Sequence, residues 1–155
     1  MFFFEEVQVG MGIALYLTKY SLPDILFAVW SLAKVSRLPA EKDMKALLRL
    51  VMYLWTTKEK GLVMKYVDRD WSLADYKKDT PSNEIILNNG VVAFVDSDWA
   101  GDPETRKSVT GWTVFLYGQL ISWWSRGQKT VTISSTTAEY VSVTESTKEV
   151  LYLKT

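Results

Sequence analysis

Across residues 1–60 the apolar positions recur at helical spacing. In "SLPDILFAVWSLAKVSRL", Ile25, Ala28, Val29, Leu32 and Val35 follow Pro23 and Asp24 at intervals that keep one face apolar. Proline in a first turn forfeits no hydrogen bond, and a carboxylate there suits the helix dipole. Pro39 and Glu41 open the next helix in the same way. Met44, Leu47, Leu48, Val51, Leu54 and Trp55 form its predicted stripe, with Lys42, Lys45 and Arg49 on the wet side. Gly61, after "TTKEK", is a natural stop. A shorter helix over 8–19 precedes these two.

The pattern then changes. "GLVMKYV" is a strand candidate, and "DRDWSLADYKKDTPSNE" is charged and turn-rich, as a loop or linker is. Asn89-Gly90 signals a turn. Residues 91–96 form a continuous apolar run ending in Asp96, as expected of a strand buried on both faces. "GWTVFLYGQLISWWS" predicts two strands joined near Gly118, and "TVTIS" predicts an extension of the sheet. "STTAEYVSVTESTKEVLYLKT" predicts a helix to the chain end. The expected organisation is a helical segment over 1–60, a strand and linker over 61–90, and a strand–hairpin–helix unit over 91–155. The fold class is mixed, α+β or α/β.

Composition narrows the chemistry. The 155 residues are 48% hydrophobic and 23% charged, a globular balance for one domain or two small pieces. Lys+Arg and Asp+Glu each number 18, so no overall positive field recruits phosphate, and any such binding needs a local patch. There is no cysteine and no histidine, which excludes disulfides, thiolate sites and imidazole catalysis within this chain. Carboxylates are left to carry any chemistry. "MFFFEE" lacks a basic start and reaches Glu5 and Glu6 too soon for a signal segment. No apolar run approaches the ~20 residues that span a bilayer, so the expectation is an intracellular protein without a membrane partner. Cytoplasm and nucleus are equally compatible.

Two acids stand out. Asp96 ends an apolar strand, where burial of a carboxylate is costly without a positive partner. Before Gly101 and Pro103, an aspartate is also an ordinary turn former. At about 100° per residue, Glu139 shares a stripe with Val143, Ser146, Val150 and Leu153, the face expected to pack on the sheet, with Glu145, Lys148 and Glu149 opposite. Thr136 with Glu139 also fits a capping box. If the two acids converge, their repulsion is relieved by a divalent cation, and magnesium is the natural choice.

"VDSDWAGDPETRKSVTGW" followed by "LISWWSRGQKTVTISSTTAEY" resembles the ribonuclease H domain of copia-type LTR retrotransposon Pol polyproteins. "LPDILFAV" and "KALLRLVMYLWTTKEKGL" resemble the segment just upstream, the end of the reverse transcriptase. The resemblance implies a partial ribonuclease H-like fold, a three-stranded antiparallel sheet with a packed helix, over 91–155. It implies metal ligation and catalysis by Asp96 and Glu139, with Asp98 as a further metal residue, and Mg2+ or Mn2+ as cofactor. Arg106, Lys107 and Ser108 match one basic turn of the family, and Arg126, Gln128 and Lys129 match a polar turn before the helix. Both turns are expected to face nucleic acid, an RNA–DNA hybrid in the first place. Of Trp99, Trp112, Trp123 and Trp124, most are expected in the core, and those left exposed would add stacking surfaces for bases.

The family takes further acids from a strand beyond this helix, and no such strand follows Thr155. Two carboxylates are expected to hold magnesium weakly and to leave hydrolysis of hybrid RNA weak or absent. A non-catalytic nucleic-acid or protein-binding module on the same scaffold is the alternative. With its neighbouring strand missing, 91–95 is expected to offer a free edge for self-association unless "GLVMKYV" covers it.

Overall fold

The computed structural model describes residues 2–64, 84–86 and 90–154. The chain divides into two compact units, Met1–Leu62 and Val63–Thr155. Among the described residues no helix is long and apolar enough to cross a membrane.

The first unit is helical. It contains α1 (Phe2–Tyr20), a 3-10 turn (Pro23–Ile25), α2 (Leu26–Val35) and α3 (Glu41–Thr56). The first helix starts well before the expected residue 8. Val7, Met11, Ala14 and Thr18 recur along one buried face of it. Pro23 begins a 3-10 turn rather than an α-helix, and its Ile25 is buried. The core joins Val7, Met11, Ala14, Ile25, Val29 and Leu50, with Leu32, Met44, Leu47 and Leu54 packed around them. Each such side chain contributes about 1.5–3 kcal/mol relative to full exposure.

The buried stripe of α3 is narrower than expected. Leu50 is its buried residue, whereas Leu48, Val51 and Trp55 are exposed. Among the described residues α3 packs most extensively on α2, with Met44, Leu47 and Leu50 also in the core that Val7 and Met11 of α1 share. Its start is held by Asp43, whose carboxylate accepts the Ala40 N–H at 2.8 Å. Tyr53 donates to the Asp24 carboxylate at 2.5 Å, tying α3 to the 3-10 turn.

The second unit is a four-stranded antiparallel sheet with one helix on it. The strands are β1 (Glu84–Ile86), β2 (Val91–Asp98), β3 (Val109–Leu116) and β4 (Gln119–Gly127), in that spatial order, followed by α4 (Ser135–Lys154). The fold is thus a mixed α+β class. Residues 61–64 of the expected strand "GLVMKYV" are not in a strand, and 65–67 lie outside the described residues, as does the linker over 68–83. The neighbour of β2 is β1 instead, pairing Glu84–Ile86 with Phe94–Val92. The edge expected to be free is therefore occupied over 92–94.

Tyr117 and Gly118 link β3 to β4, with φ of 48° and 75°. Positive φ at both central residues matches the twist of the hairpin. "TVTIS" does not extend the sheet: 130–134 is irregular chain. Its alternation runs the wrong way for a strand that buries apolar groups, since Val131 and Ile133 point to solvent and Thr132 is buried.

Side-chain alternation along the continuous β2–β3 register sorts the residues onto two faces. Val91, Ala93 and Val114 pack with Val150 of α4, flanked by Trp112, Leu116, Ile121 and Leu153. That face carries the helix. Val92, Phe94, Asp96 and Asp98 alternate onto the other face, where Phe94 meets Phe115 edge-on with ring centroids 5.6 Å apart.

Candidate active site

The end of β2, the start of β3, the end of β4 and the start of α4 lie at one end of the sheet. Asp98 pairs with Val109, Val109 with Gly127, and Gln128 N–H donates to Ser108 O at 2.8 Å. Thr110 meets Ser142 of α4 at 2.9 Å between hydroxyl oxygens. This end carries Asp96, Asp98, Arg106, Lys107, Arg126, Lys129 and Glu139.

The acids do not form a pocketed cluster. Asp96 is exposed at the end of β2, opposite Gly111, on the face away from α4. Gly111 has no side chain, so the position directly opposite on β3 offers that carboxylate no partner. Asp98 is also exposed, and its carboxylate occupies the space that a Cβ at Gly101 would need. Glu139 is exposed on α4. The face of α4 that packs on the sheet is set by Ala138, Ser142, Ser146 and Val150, so the expected stripe holds at Ser146, Val150 and Leu153, while Ala138 and Ser142 take the places expected of Glu139 and Val143. Val143 is partly exposed in consequence, at 39%. Small side chains are what let the helix backbone approach the sheet. Glu149, expected on the far side, reaches the sheet and accepts a hydrogen bond from Ser122 Oγ at 2.9 Å.

The expected capping pair at Thr136 and Glu139 is replaced by Ser134. Its Oγ accepts the Thr137 N–H at 3.1 Å. Glu139 is thereby left out of the cap. Among the described residues, no three or more acids, histidines or cysteines are grouped so as to hold a metal ion. Two exposed carboxylates on different elements do not fit a two-ion centre, which needs a dense donor set.

The two polar turns divide by burial. Arg106, Arg126 and Lys129 are exposed and Lys107 is half-buried. Ser108 and Gln128, expected to face nucleic acid with them, are buried at 0% and 6% exposure. Ser108 Oγ accepts the Ala100 N–H at 3.2 Å and lies 2.8 Å from Thr132 Oγ1. Gln128 donates through Nε2 to Ala138 O at 2.9 Å and Thr110 Oγ1 at 3.1 Å. Trp99 donates to Thr132 O at 3.2 Å. Thr110, Thr132 and Ser142, which were not singled out in the sequence, thus bind the turns together. The spacing Ala138–Ser142–Ser146 was the available signal.

Of the four candidate stacking tryptophans, Trp124 and Trp99 keep substantial exposure, at 42% and 48%. Trp112 and Trp124 are stacked across β3 and β4, with centroids 6.5 Å apart and planes 17° apart. The β3–β4 register puts Trp124 and Arg126 on one face.

The chain is 34% identical over 134 residues to a retrovirus-related Pol polyprotein from transposon RE1 of Arabidopsis thaliana, covering 86% of this chain and 8% of the polyprotein. It is 33% identical over 144 residues to secreted RxLR effector protein 161 of Plasmopara viticola, covering 93% of this chain and 88% of that protein. Over most of its length the chain is similar to copia-type retrovirus-related Pol polyproteins, of whose own length it spans 8–9%. An uncharacterized mitochondrial protein of Arabidopsis thaliana is 35% identical over 130 residues, or 84% of this chain and 46% of that one. No family model and no solved structure matches. The similarity to Pol polyproteins spans both units, while the chain corresponds to a small part of those polyproteins.

Proposed function

We propose that the second unit is a ribonuclease H-like half-domain. In its parent polyprotein it serves metal-dependent hydrolysis of RNA in RNA–DNA hybrids, and Asp96 and Glu139 are its contribution to the acid set. The observation that carries this reading is the gathering at one sheet end of a strand ending in Asp96 and Asp98 and a helix beginning just before Glu139. The Pol relatives support it. Because the acids present do not fit a two-ion centre, the chain on its own binds Mg2+ or Mn2+ weakly and cleaves hybrids poorly. Positioning and charge stabilisation supply most of phosphoryl-transfer catalysis, and both need the fuller set.

A cleavage assay on an RNA–DNA hybrid with magnesium or manganese, with and without Asp96→Asn, tests this. Cleavage near background in both proteins is the expected result. Cleavage at enzyme-like rates that disappears in Asp96→Asn would show that the residues present suffice.

A second reading is a non-catalytic nucleic-acid-binding module. Exposed Trp124 and Arg126 on one face favour it, since an indole beside a guanidinium stacks a base and meets its phosphate. Hybrid binding that ignores both the metal and Asp96→Asn would select this reading.

A further inference from the structure

Beneath the exposed acids lies a buried polar cluster that is satisfied except at two atoms. Ser142 Oγ donates to Ala138 O at 3.0 Å, which uses its only hydrogen. The Thr110 hydroxyl therefore donates to Ser142 Oγ at 2.9 Å. Gln128 Nε2 supplies two hydrogens to Ala138 O at 2.9 Å and Thr110 Oγ1 at 3.1 Å, with Ser142 Oγ at 3.3 Å beside them. Turning the amide over would set its oxygen against the Ala138 carbonyl, acceptor against acceptor. The orientation is thus determined, and Gln128 Oε1 has no donor among the described residues. Ser97 Oγ is the second buried atom without a partner. Ser97 is the cross-strand partner of Thr110, so both orphans flank the same hydroxyl.

Buried polar atoms in folded proteins are paired, with ordered water filling the gaps that protein groups leave. Here one orphan can donate and the other can only accept. We infer that an internal water joins Ser97 Oγ to Gln128 Oε1, and that Gln128 is the positioning residue that locks the start of α4 to the acidic end of β2. Ser97 lies between Asp96 and Asp98, and Ala138 immediately precedes Glu139. The cluster therefore sets the distance between the two acid-bearing elements without any of its members touching a ligand. Its relevance to the acids rests on the function proposed above, but the lock itself does not, and it is measured without metal or nucleic acid.

Three measurements on the full chain test the lock. Magnetisation transfer from water to the Gln128 side-chain amide protons is expected to reveal one long-lived water. Ser97→Ala is expected to abolish that signal and to lower Tm by about 2–4 °C, because it strands the water and the amide oxygen. If Ser97 were a true orphan, Ser97→Ala would raise Tm and no bound water would be seen, which overturns the water. Gln128→Leu is expected to speed amide exchange about tenfold or more over 138–142 while leaving 149–153 much less affected. Val150→Ala, which loosens the other end of the same helix, is the control and should show the reverse gradient. A uniform acceleration along α4 in Gln128→Leu would reduce Gln128 to general core stability and overturn the positioning role.

Discussion

Thr110 on β3 and Ser142 on α4 meet through their hydroxyls at 2.9 Å, both fully buried, and this contact joins the helix to the sheet where the acids lie. Replacing Thr110 with valine keeps the shape and removes the hydroxyl that Ser142 and Gln128 both use. The expected cost is about 1–3 kcal/mol, because two buried partners lose a bond and nothing replaces it. Urea unfolding of the variant against wild type measures it. A loss within 0.5 kcal/mol, roughly the level of surface substitutions, would show that the cluster is wet and easily rearranged.

Asp96 and Glu139 are exposed, so their amide variants are expected to leave stability within about 0.5 kcal/mol of wild type. Any effect of Asp96→Asn or Glu139→Gln on hybrid binding or manganese affinity then reports on the site and not on folding. Thermal unfolding of both variants, run beside the binding assay, checks this.

Arg106 adopts φ of 56° in the β2–β3 turn, where its N–H donates to Asp102 O at 2.8 Å. Glycine has no Cβ penalty in that region, so Arg106→Gly is expected to stabilise the unit by about 0.5–1 kcal/mol. The same change removes an exposed cation and should weaken any hybrid binding, with a shallower dependence on salt. Denaturant midpoints and binding at two salt concentrations separate the two effects.

The Tyr53 phenol is held above its ordinary pKa of 10.0, first by its hydrogen bond to Asp24 and then by the Asp24 charge. Ionisation would set a phenolate against a carboxylate. Since the folded value is the raised one, the contribution of this bond to stability is complete below pH 10 and is lost as pH climbs through the folded value. Ultraviolet titration should place the Tyr53 midpoint above 10 in wild type and closer to 10 in Asp24→Asn. Identical midpoints would show that the α3–turn contact does not persist in solution.

Several features were legible before any coordinates because they depend on local periodicity. The helices of the first unit, the β2 run ending at Asp96 and the turn near Gly118 follow from spacing and backbone preference alone. The stripe on α4 is legible at Ser146 and Val150 but not in its first turns. There apolar size points to Val143, whereas the close approach of helix to sheet selects Ala138 and Ser142. Gln128 and Ser108 were misplaced for a related reason. A polar residue in a turn ordinarily faces water, and only its neighbours' unpaired donors and acceptors can pull it inside.

The sequence by itself determined the helices of the first unit, the run of β2, β3 and β4 with the helix after them, the absence of cysteine and histidine, and the similarity to Pol polyproteins, since these are written in residue type and spacing. Tertiary structure alone decided which face of β2 presents Asp96, which strand covers its edge and which polar groups are buried together. Those outcomes depend on register and on pairing between residues far apart in the chain. A single strand's alternation assigns residues to two faces but cannot say which of the two receives the helix.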